Sequence, residues 1–281
     1  MTLTRTGRTQ TAAREGLLTW SPRRGLTAPD APDSYGRVPT VGERLAVADS
    51  WLLREGRVRA LGRHRERFLR ACADSGGPSP RQLVDFWQDM TAALPRTGDW
   101  FPRVELGAES RELRLLLRPA PPLGTGVRLW AAGQSDPRTV PRRKGPDLDI
   151  LARVRQRAAT EGADEAVLVA PSGVILEGAT TSLLWWEDDT LCLPSPQLPV
   201  LAGVTTALIQ EHAQRTGIRV AHRERTLTDL ADREVWLVNA LHGIRPVTEW
   251  TGSTEPPIRA GHAMRAPEWR NWLEDLPEPL L

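Results

Sequence analysis

Residues 162–186, GADEAVLVAPSGVILEGATTSLLWW, contain three short apolar runs separated by turn residues. The runs are EAVLVA, GVILE and TTSLLWW, divided first by the PSG tripeptide and then by Gly178. Short apolar runs bounded by Gly and Pro are typical of β-strands, whereas helices need a longer periodic pattern. The stretch therefore predicts three consecutive strands.

Helices and strands alternate outward from this stretch in both directions. Predicted helices cover HRERFLRACAD (64–74), RQLVDFWQDMTAAL (81–94) behind Ser79-Pro80, the segment that begins near Asp147, and PEWRNWLEDL (267–276). In LAGVTTALIQEHAQRTG (201–217), a loop enters a further helix that Gly217 closes. Further strands are a hairpin of LAVADSWLL and RVRAL around Glu55-Gly56, then WFPRVEL, ELRLLLR, GVRLW, IRVAHRER, EVWLVNAL and IRPVTEW. This pattern predicts an α+β or α/β fold.

Pro- and Gly-rich segments predict the domain boundaries. Residues 1–40 are rich in Thr, Arg, Pro and Gly, and we expect a poorly ordered or extended arm with only a short strand at LLTW. A small α/β domain follows over 41–118. PAPPLGTG (119–126) is a predicted linker, and 127–281 is a predicted larger α/β domain.

Composition excludes several classes of protein. The formal net charge is only +2, and Asp and Glu accompany Arg along the chain, so no nucleic-acid footprint is indicated. The two cysteines cannot form a disulfide framework, which favours a reduced, cytoplasmic protein. No apolar run approaches a membrane span, and the five scattered histidines lack metal-ligand spacing, so we expect neither membrane nor metal partners.

One lysine stands among 37 basic residues, and it is Lys144 in PRRKGPDLD (141–149). A guanidinium keeps its proton in proteins, whereas an ε-amine can lose its proton and condense with a carbonyl to a Schiff base. A chain that has replaced its other lysines by arginine still needs lysine wherever it needs an amine. Survival of one lysine by drift is the alternative interpretation.

Four segments around Lys144 resemble the class IV aminotransferase family, the fold type IV pyridoxal-phosphate enzymes. This family includes branched-chain and D-amino-acid aminotransferases and aminodeoxychorismate lyase. The matching segments are His64 and Arg67 in HRERF, Lys144 one loop before a helix, the 162–186 stretch, and LAGVTT (201–206) followed by NALHGIRPV (239–247). The resemblance covers roughly residues 45–250 and implies the two-domain fold of these enzymes.

The resemblance implies pyridoxal 5′-phosphate as cofactor, bound by the larger α/β domain over 127–281. It makes Lys144 the catalytic Schiff-base lysine and Glu177 the acid at the pyridine nitrogen. Gly203, Val204 and Thr205 open a predicted helix, whose free N–H groups suit a phosphate. The remaining implied cofactor residues are Arg67 as a bidentate phosphate contact, Thr181, Asn239 and Ala240.

Ser50 and His242 are candidate substrate residues. Ser50 falls where aminodeoxychorismate lyases often carry a hydroxyl residue, although a solvent-facing serine of a hairpin fits as well. His242 lies in NALHG, where a surface loop histidine is the alternative.

The departures from the family pattern concern the substrate. Leu183 follows Ser182 where an Asn is frequent, Asp147 and Asp149 follow the lysine, and the only tyrosine is Tyr35, far upstream. The segment NALHGIRPV favours a 4-amino-4-deoxychorismate lyase, in which Lys144 removes a proton and pyruvate leaves to give 4-aminobenzoate. A transaminase of a small amino acid, branched-chain or D, is the alternative, followed by an inactive pyridoxal-phosphate-binding protein. The resemblance also implies a homodimer acting on a small amine.

Overall fold

A computed structural model describes residues 15–28, 42–252 and 258–280. The first half of the chain forms β1 (Gly16–Ser21), β2 (Gly25–Thr27), β3 (Leu45–Ser50), β4 (Leu53–Arg54), β5 (Arg57–Val58), α1 (Leu61–Asp74), α2 (Pro80–Ala93), β6 (Asp99–Trp100), β7 (Arg103–Gly107) and β8 (Leu113–Leu117). Five of these strands build one sheet in the order β2-β1-β8-β7-β3, with antiparallel neighbours throughout.

The sheet has an apolar face and a polar face because side chains alternate along each strand. On the apolar face, Val47, Val104 and Leu115 are buried together with Phe68 of α1 and Phe86 of α2. Helix α2 starts with a capping box, in which Ser79 and Gln82 exchange hydrogen bonds, as the Ser-Pro start predicts.

The predicted hairpin is confirmed only around its turn, in β4 and β5, because most of LAVADSWLL forms the separate strand β3, which pairs with β7. Leu53 pairs with Val58, and the turn residues Glu55 and Gly56 have φ of 46° and 68°. Two successive positive φ values are those of a type I′ turn, whose twist matches the flanking strands. The hairpin joins β6 and the last strand of the chain in a small four-stranded sheet.

The second half forms β9 (Val127–Ser135), α3 (Leu148–Thr160), β10 (Glu165–Val169), β11 (Ile175–Gly178), β12 (Ser182–Glu187), β13 (Thr190–Leu193), α4 (Val204–Arg215), β14 (Arg219–His222), a 3-10 turn (Thr228–Leu230), β15 (Val235–Asn239), β16 (Gly243–Thr251), α5 (Ala266–Glu274) and β17 (Glu278–Pro279). Eight strands make the larger sheet, ordered β11-β10-β9-β16-β15-β12-β13-β14. Strand β9 lies parallel to both of its neighbours, and the 162–186 stretch supplies β10, β11 and β12 as predicted.

The α+β or α/β class predicted from sequence is confirmed by the mixed sheets and by the five α-helices found in the described ranges. The predicted LLTW strand lies in β1, and the rest of the predicted arm is outside the described residues apart from β2 and its turn. In the sequence, the strands of the five-stranded sheet precede residues 119–126 and those of the eight-stranded sheet follow them. Strand β17, however, pairs with β5 of the first half of the chain. The division into four segments stays a prediction. Over the described ranges, none of the helices has the length and apolarity of a membrane span.

Candidate active site

Lys144 lies in the loop between β9 and α3, where the second half of the chain meets the first. Its carbonyl oxygen accepts a hydrogen bond of 2.8 Å from the backbone N–H of Ala48 on β3. Gly145 has φ of 135°, and a Cβ there would lie 2.7 Å from the Cα of Val47. A residue with a side chain would push the loop off the strand. Gly145 therefore holds Lys144 against β3.

Asp147 closes the same loop. One carboxylate oxygen accepts from the N–H and the hydroxyl of Thr139, and the other accepts from the N–H of Val140. The side chain is buried and ends the loop where α3 begins. This position, where the sequence departs from the family pattern, thus has a structural use.

The Lys144 amine lies in a cationic environment. Burial is the main influence and lowers the pKa of the amine to about 8, helped by the charges of Arg67, Arg118 and Arg103. Asp49 acts in the opposite direction and raises the pKa. A solvated lysine has a pKa near 10.4, so this amine gives up its proton far more readily near neutral pH.

Asp49 is the centre of a buried hydrogen-bonded cluster. Its Oδ1 accepts from Arg67 Nη2 at 2.7 Å, from the backbone N–H of Ser50 at 2.7 Å and from His64 Nδ1 at 2.9 Å, and its Oδ2 accepts from Arg67 Nε at 2.8 Å. The arginine holds the pKa of Asp49 far below its usual range despite burial, while burial lowers the pKa of His64. No sequence pattern marked Asp49, because a single Asp in an apolar strand carries no motif.

Arg67 donates hydrogen bonds from Nε and Nη2 to the Asp49 carboxylate. Its Nη1 donates to the carbonyl oxygen of Ala202 at 3.0 Å. A guanidinium has five N–H groups, so two remain without an acceptor among the described residues. Ala202 precedes Gly203, the N-cap of α4, so Arg67 and the start of α4 adjoin.

The first turn of α4 presents free backbone N–H groups at Val204 and Thr205, because these have no partner within a helix. Both residues line a small cavity with Trp51, His64 and Ala240. Nearby, Thr206 Oγ1 is buried and has no hydrogen-bond partner in the described part of the chain. N–H groups, a helix dipole and an unsatisfied hydroxyl together suit an anion.

Glu177, on β11, is buried and bound by two donors. Its Oε1 accepts from Arg138 Nη1 at 2.5 Å and from the backbone N–H of Leu201 at 2.9 Å. Asp136 accepts hydrogen bonds from the Nε and Nη2 groups of Arg138. Burial raises the pKa of Glu177 to about 7, although Arg138 opposes the rise. No sequence signal distinguished Arg138 or Asp136, since both stand in an Arg-rich loop.

Thr181, Asn239 and Ala240 lie at the ends of adjacent strands β12 and β15. Thr181 Oγ1 is buried without a partner among the residues described. Asn239 donates to the carbonyl of Thr180 at 3.4 Å, and its Oδ1 accepts from the N–H groups of Leu241 and His242. The Ala240 carbonyl accepts from Leu52 at 3.1 Å. Asn239 thus shapes the turn, and Ala240 joins it to the first half of the chain.

The two candidate substrate residues are in different places. Ser50 is buried at the end of β3 beside Asp49. His242 accepts at Nδ1 from the Gly124 N–H of the predicted linker, at 3.3 Å. Burial, with Arg245 and Arg155, lowers the pKa of His242 to about 4, so its imidazole is neutral. Tyr35 lies outside the described residues.

Comparison with known proteins gives a family match over residues 46–250, to the model described as amino-transferase class IV. An aminodeoxychorismate lyase from Vibrio harveyi is 32% identical over 101 residues, which is 35% of this chain and 37% of that protein. A bifunctional aminodeoxychorismate lyase / D-amino acid transaminase from Mycobacterium tuberculosis is 23% identical over 225 residues, 69% of this chain and 78% of that protein.

Among solved structures, a hypothetical aminotransferase from Mycobacterium tuberculosis in its PLP-bound form superposes with a TM-score of 0.73. The match has 18% sequence identity and covers 92% of this chain and 98% of that one. At this identity the likeness concerns the fold. Since the family model covers most of the chain, including Lys144 and Glu177, the chain belongs to the amino-transferase class IV family.

Proposed function

We propose that the chain is a pyridoxal-phosphate enzyme of 4-amino-4-deoxychorismate lyase type, releasing pyruvate and 4-aminobenzoate. The observation that carries the catalytic part is Lys144: the single lysine is pinned by Ala48 and Gly145, and its amine has a pKa lowered to about 8. The aminodeoxychorismate lyase relatives and the NALHGIRPV segment support the choice of reaction.

The residues around Lys144 fit the cofactor. A phosphate needs several donors, and Arg67 retains two N–H groups beside the first turn of α4 and the unsatisfied hydroxyl of Thr206. A pyridine nitrogen needs an acid that is held in place, and Glu177 is fixed by Arg138 and Leu201. When bound, pyridoxal phosphate supplies an electron sink for a negative charge at the amine-bearing carbon.

The chain contributes position and proton transfer. Lys144 would hold the cofactor and would then move the proton at the amine-bearing carbon, which requires an amine that is neutral for part of the time near pH 7. Arg67 and Arg118 favour that neutral form, and Asp49 limits the effect while orienting Arg67. Glu177, held by Arg138 and Leu201, would sit against the ring nitrogen of the bound cofactor and keep it protonated, which strengthens the electron sink.

A transaminase of a small amino acid is the second candidate, because the mycobacterial relative is named for both activities. Every residue assigned above would serve either reaction. A homodimer belongs to both proposals, by analogy with the family, and sedimentation of the purified protein would test it.

The experiment offers aminodeoxychorismate to the cofactor-loaded enzyme and measures pyruvate and 4-aminobenzoate, with amino transfer from alanine and glutamate to 2-oxo acids measured in parallel. Borohydride reduction before digestion should leave the cofactor on the peptide containing Lys144, and Lys144→Ala is the control. Amino transfer without pyruvate release would select the transaminase. Failure to load cofactor would refute both candidates.

A further inference from the structure

A cleft of about 500 Å³ lies against the loop that carries Lys144. Its walls come from four segments: the entry to β3 (44–46), the end of α1 (74–75), the turn between β7 and β8 (108–111) and the loop before α3 (139–146). Neither Lys144 nor Glu177 nor the first turn of α4 lines it. The cleft is therefore separate from the candidate active site and shares only the Lys144 loop with it.

Two arginines from different walls converge on Ser75, the C-cap of α1. Arg143 Nη1 donates to the Ser75 hydroxyl oxygen at 2.6 Å, and Arg111 Nη2 donates to the Ser75 carbonyl oxygen at 2.5 Å. Both acceptors are neutral, so they satisfy single N–H groups without compensating either charge. Two like charges held at one residue repel each other unless an anion joins them.

The buried acid closest to the cleft in sequence does not supply the missing charge. Within the described ranges, Arg111 and Arg143 form no ion pair, and the buried Nε of Arg143 has no hydrogen-bond partner. The side chain of Glu43 is buried, but it is bound by Arg114 at 3.1 Å and accepts hydrogen bonds from Ser110. The two guanidinium groups therefore stay uncompensated from inside.

The exposed lining residues leave the cleft cationic. Arg44 is exposed there, and so are the acids Asp74 and Glu109. None of the three forms an ion pair in the part of the chain that the structure describes. The lining thus holds three arginines against two acids, and both acids face solvent.

An organic phosphate fits this lining. A guanidinium has five N–H groups, and Ser75 accepts only one from each arginine. Guanidinium groups bind phosphate through paired hydrogen bonds, and two of them match a dianion. Leu45, Val140 and Pro146 give the cleft an apolar side, which suits a carbon skeleton attached to the phosphate.

The walls of the cleft connect such a ligand to Lys144. Arg143 directly precedes Lys144 in the chain. Ala46, on another wall, lies two residues before Ala48, whose N–H binds the Lys144 carbonyl. A ligand that contacts both Arg143 and Ala46 would bridge the loop to β3 and so restrict the movement of Lys144.

We propose that this cleft is a second ligand site, which binds an organic phosphate through Arg111 and Arg143 and thereby holds the Lys144 loop against β3. The ligand regulates the position of Lys144 without contacting the reacting atoms. The inference does not depend on which reaction the enzyme catalyses.

The test uses phenyl phosphate as the probe and benzyl alcohol as its neutral counterpart. Calorimetry on the cofactor-loaded enzyme should show that the wild type binds phenyl phosphate at least about 10-fold more tightly than benzyl alcohol, as expected for charge-assisted hydrogen bonds. Arg111→Gln should weaken phenyl phosphate by about 10-fold. Arg111→Lys, which keeps the charge but not the fork, should lose less.

Hydrogen exchange followed by mass spectrometry locates the probe. Phenyl phosphate should slow amide exchange in 108–111 and 139–146 and leave 201–206 unchanged. Arg81→Gln is the matched control and should bind as the wild type does, because the Arg81 side chain is 92% exposed on α2. Circular dichroism establishes that each variant is folded, and Arg111→Lys serves if the Gln variant is not.

The inference is overturned if phenyl phosphate binds no more tightly than benzyl alcohol, if folded Arg111→Gln binds it as well as the wild type, or if protection is confined to 201–206. A cleft covered by a second copy of the chain would exclude the probe and give the first of these results. Failure to load pyridoxal phosphate is a separate result that refutes the proposed function. Exchange on the unloaded protein still decides the inference in that event, because it distinguishes the cleft from the α4 turn.

Discussion

Lys144 permits a direct measurement of the environment of the site, because the chain has no other side-chain amine. With a pKa of about 8 instead of 10.5, the amine is about 9% neutral at pH 7 rather than about 0.03%. The neutral amine is the nucleophile, so the fraction of Lys144 able to react with an acylating reagent at pH 7 should be about 300-fold larger than that of a solvated lysine.

The assay is trace acetylation of the cofactor-free protein between pH 6 and 11, followed by digestion and mass spectrometry of the Lys144 peptide. The labelling midpoint should lie near pH 8 in the native protein and near 10.4 in denaturant, which provides the internal control. A native midpoint near 10 would refute the conclusion that burial and the arginines act on this amine.

Two substitutions test the sign of the electrostatic argument. Asp49→Asn removes the charge that raises the pKa, so its midpoint should fall below that of the wild type. Arg67→Gln removes a charge that lowers the pKa, so its midpoint should rise. Equal shifts in the same direction would mean that disruption of the cluster, and not charge, causes the change.

Three further predictions concern stability. Glu177 binds its proton more tightly in the folded protein, where its pKa is about 7, than in the unfolded chain, where it is 4.5. The free energy of unfolding should therefore fall by about 3 kcal/mol as pH rises from below 4.5 to above 7. Denaturant titrations at pH 5 and pH 8 should show a smaller fall for Glu177→Gln than for the wild type, and an equal fall would contradict the assignment of this pKa to Glu177. Gly145→Ala should destabilise by about 2–4 kcal/mol through its clash with Val47, whereas Gly162→Ala, at φ of 75° in open space, should cost about 1–2 kcal/mol in the same measurement. Ser79→Ala should lower stability by about 1 kcal/mol through loss of the α2 cap and leave the Lys144 midpoint unchanged, and a changed midpoint would mean that α2 influences the site.

Local sequence signals predicted most of the elements correctly. Ser79-Pro80 marked the start of α2, Glu55-Gly56 marked the β4–β5 turn, and Gly217, at φ of 76°, follows the end of α4 as expected of a C-terminal glycine. These features depend on neighbours in the chain, which the sequence states directly. The pairing of β17 with β5 was not predicted, because it joins distant segments through two backbone pairs with no side-chain pattern of their own.

The chemistry of the site was only partly predictable for the same reason. Lys144 was distinguished by being unique, and Glu177 by its motif. Asp49, Asp136 and Arg138 were not, because an Asp or Arg has the same appearance in a sequence whether or not it has a partner. These residues are distinguished by their hydrogen-bond and ion-pair partners, and the partners are brought together only by the fold.

The short segment Leu201–Ala202 is bound from both ends of the candidate site. Leu201 donates to Glu177, and Ala202 accepts from Arg67. The segment therefore fixes the distance between the Glu177 carboxylate and the first turn of α4. A ligand that contacts both Glu177 and the first turn of α4 must match this distance. A substitution of Glu177 or of Arg67 should therefore change the position of the other residue's partner as well.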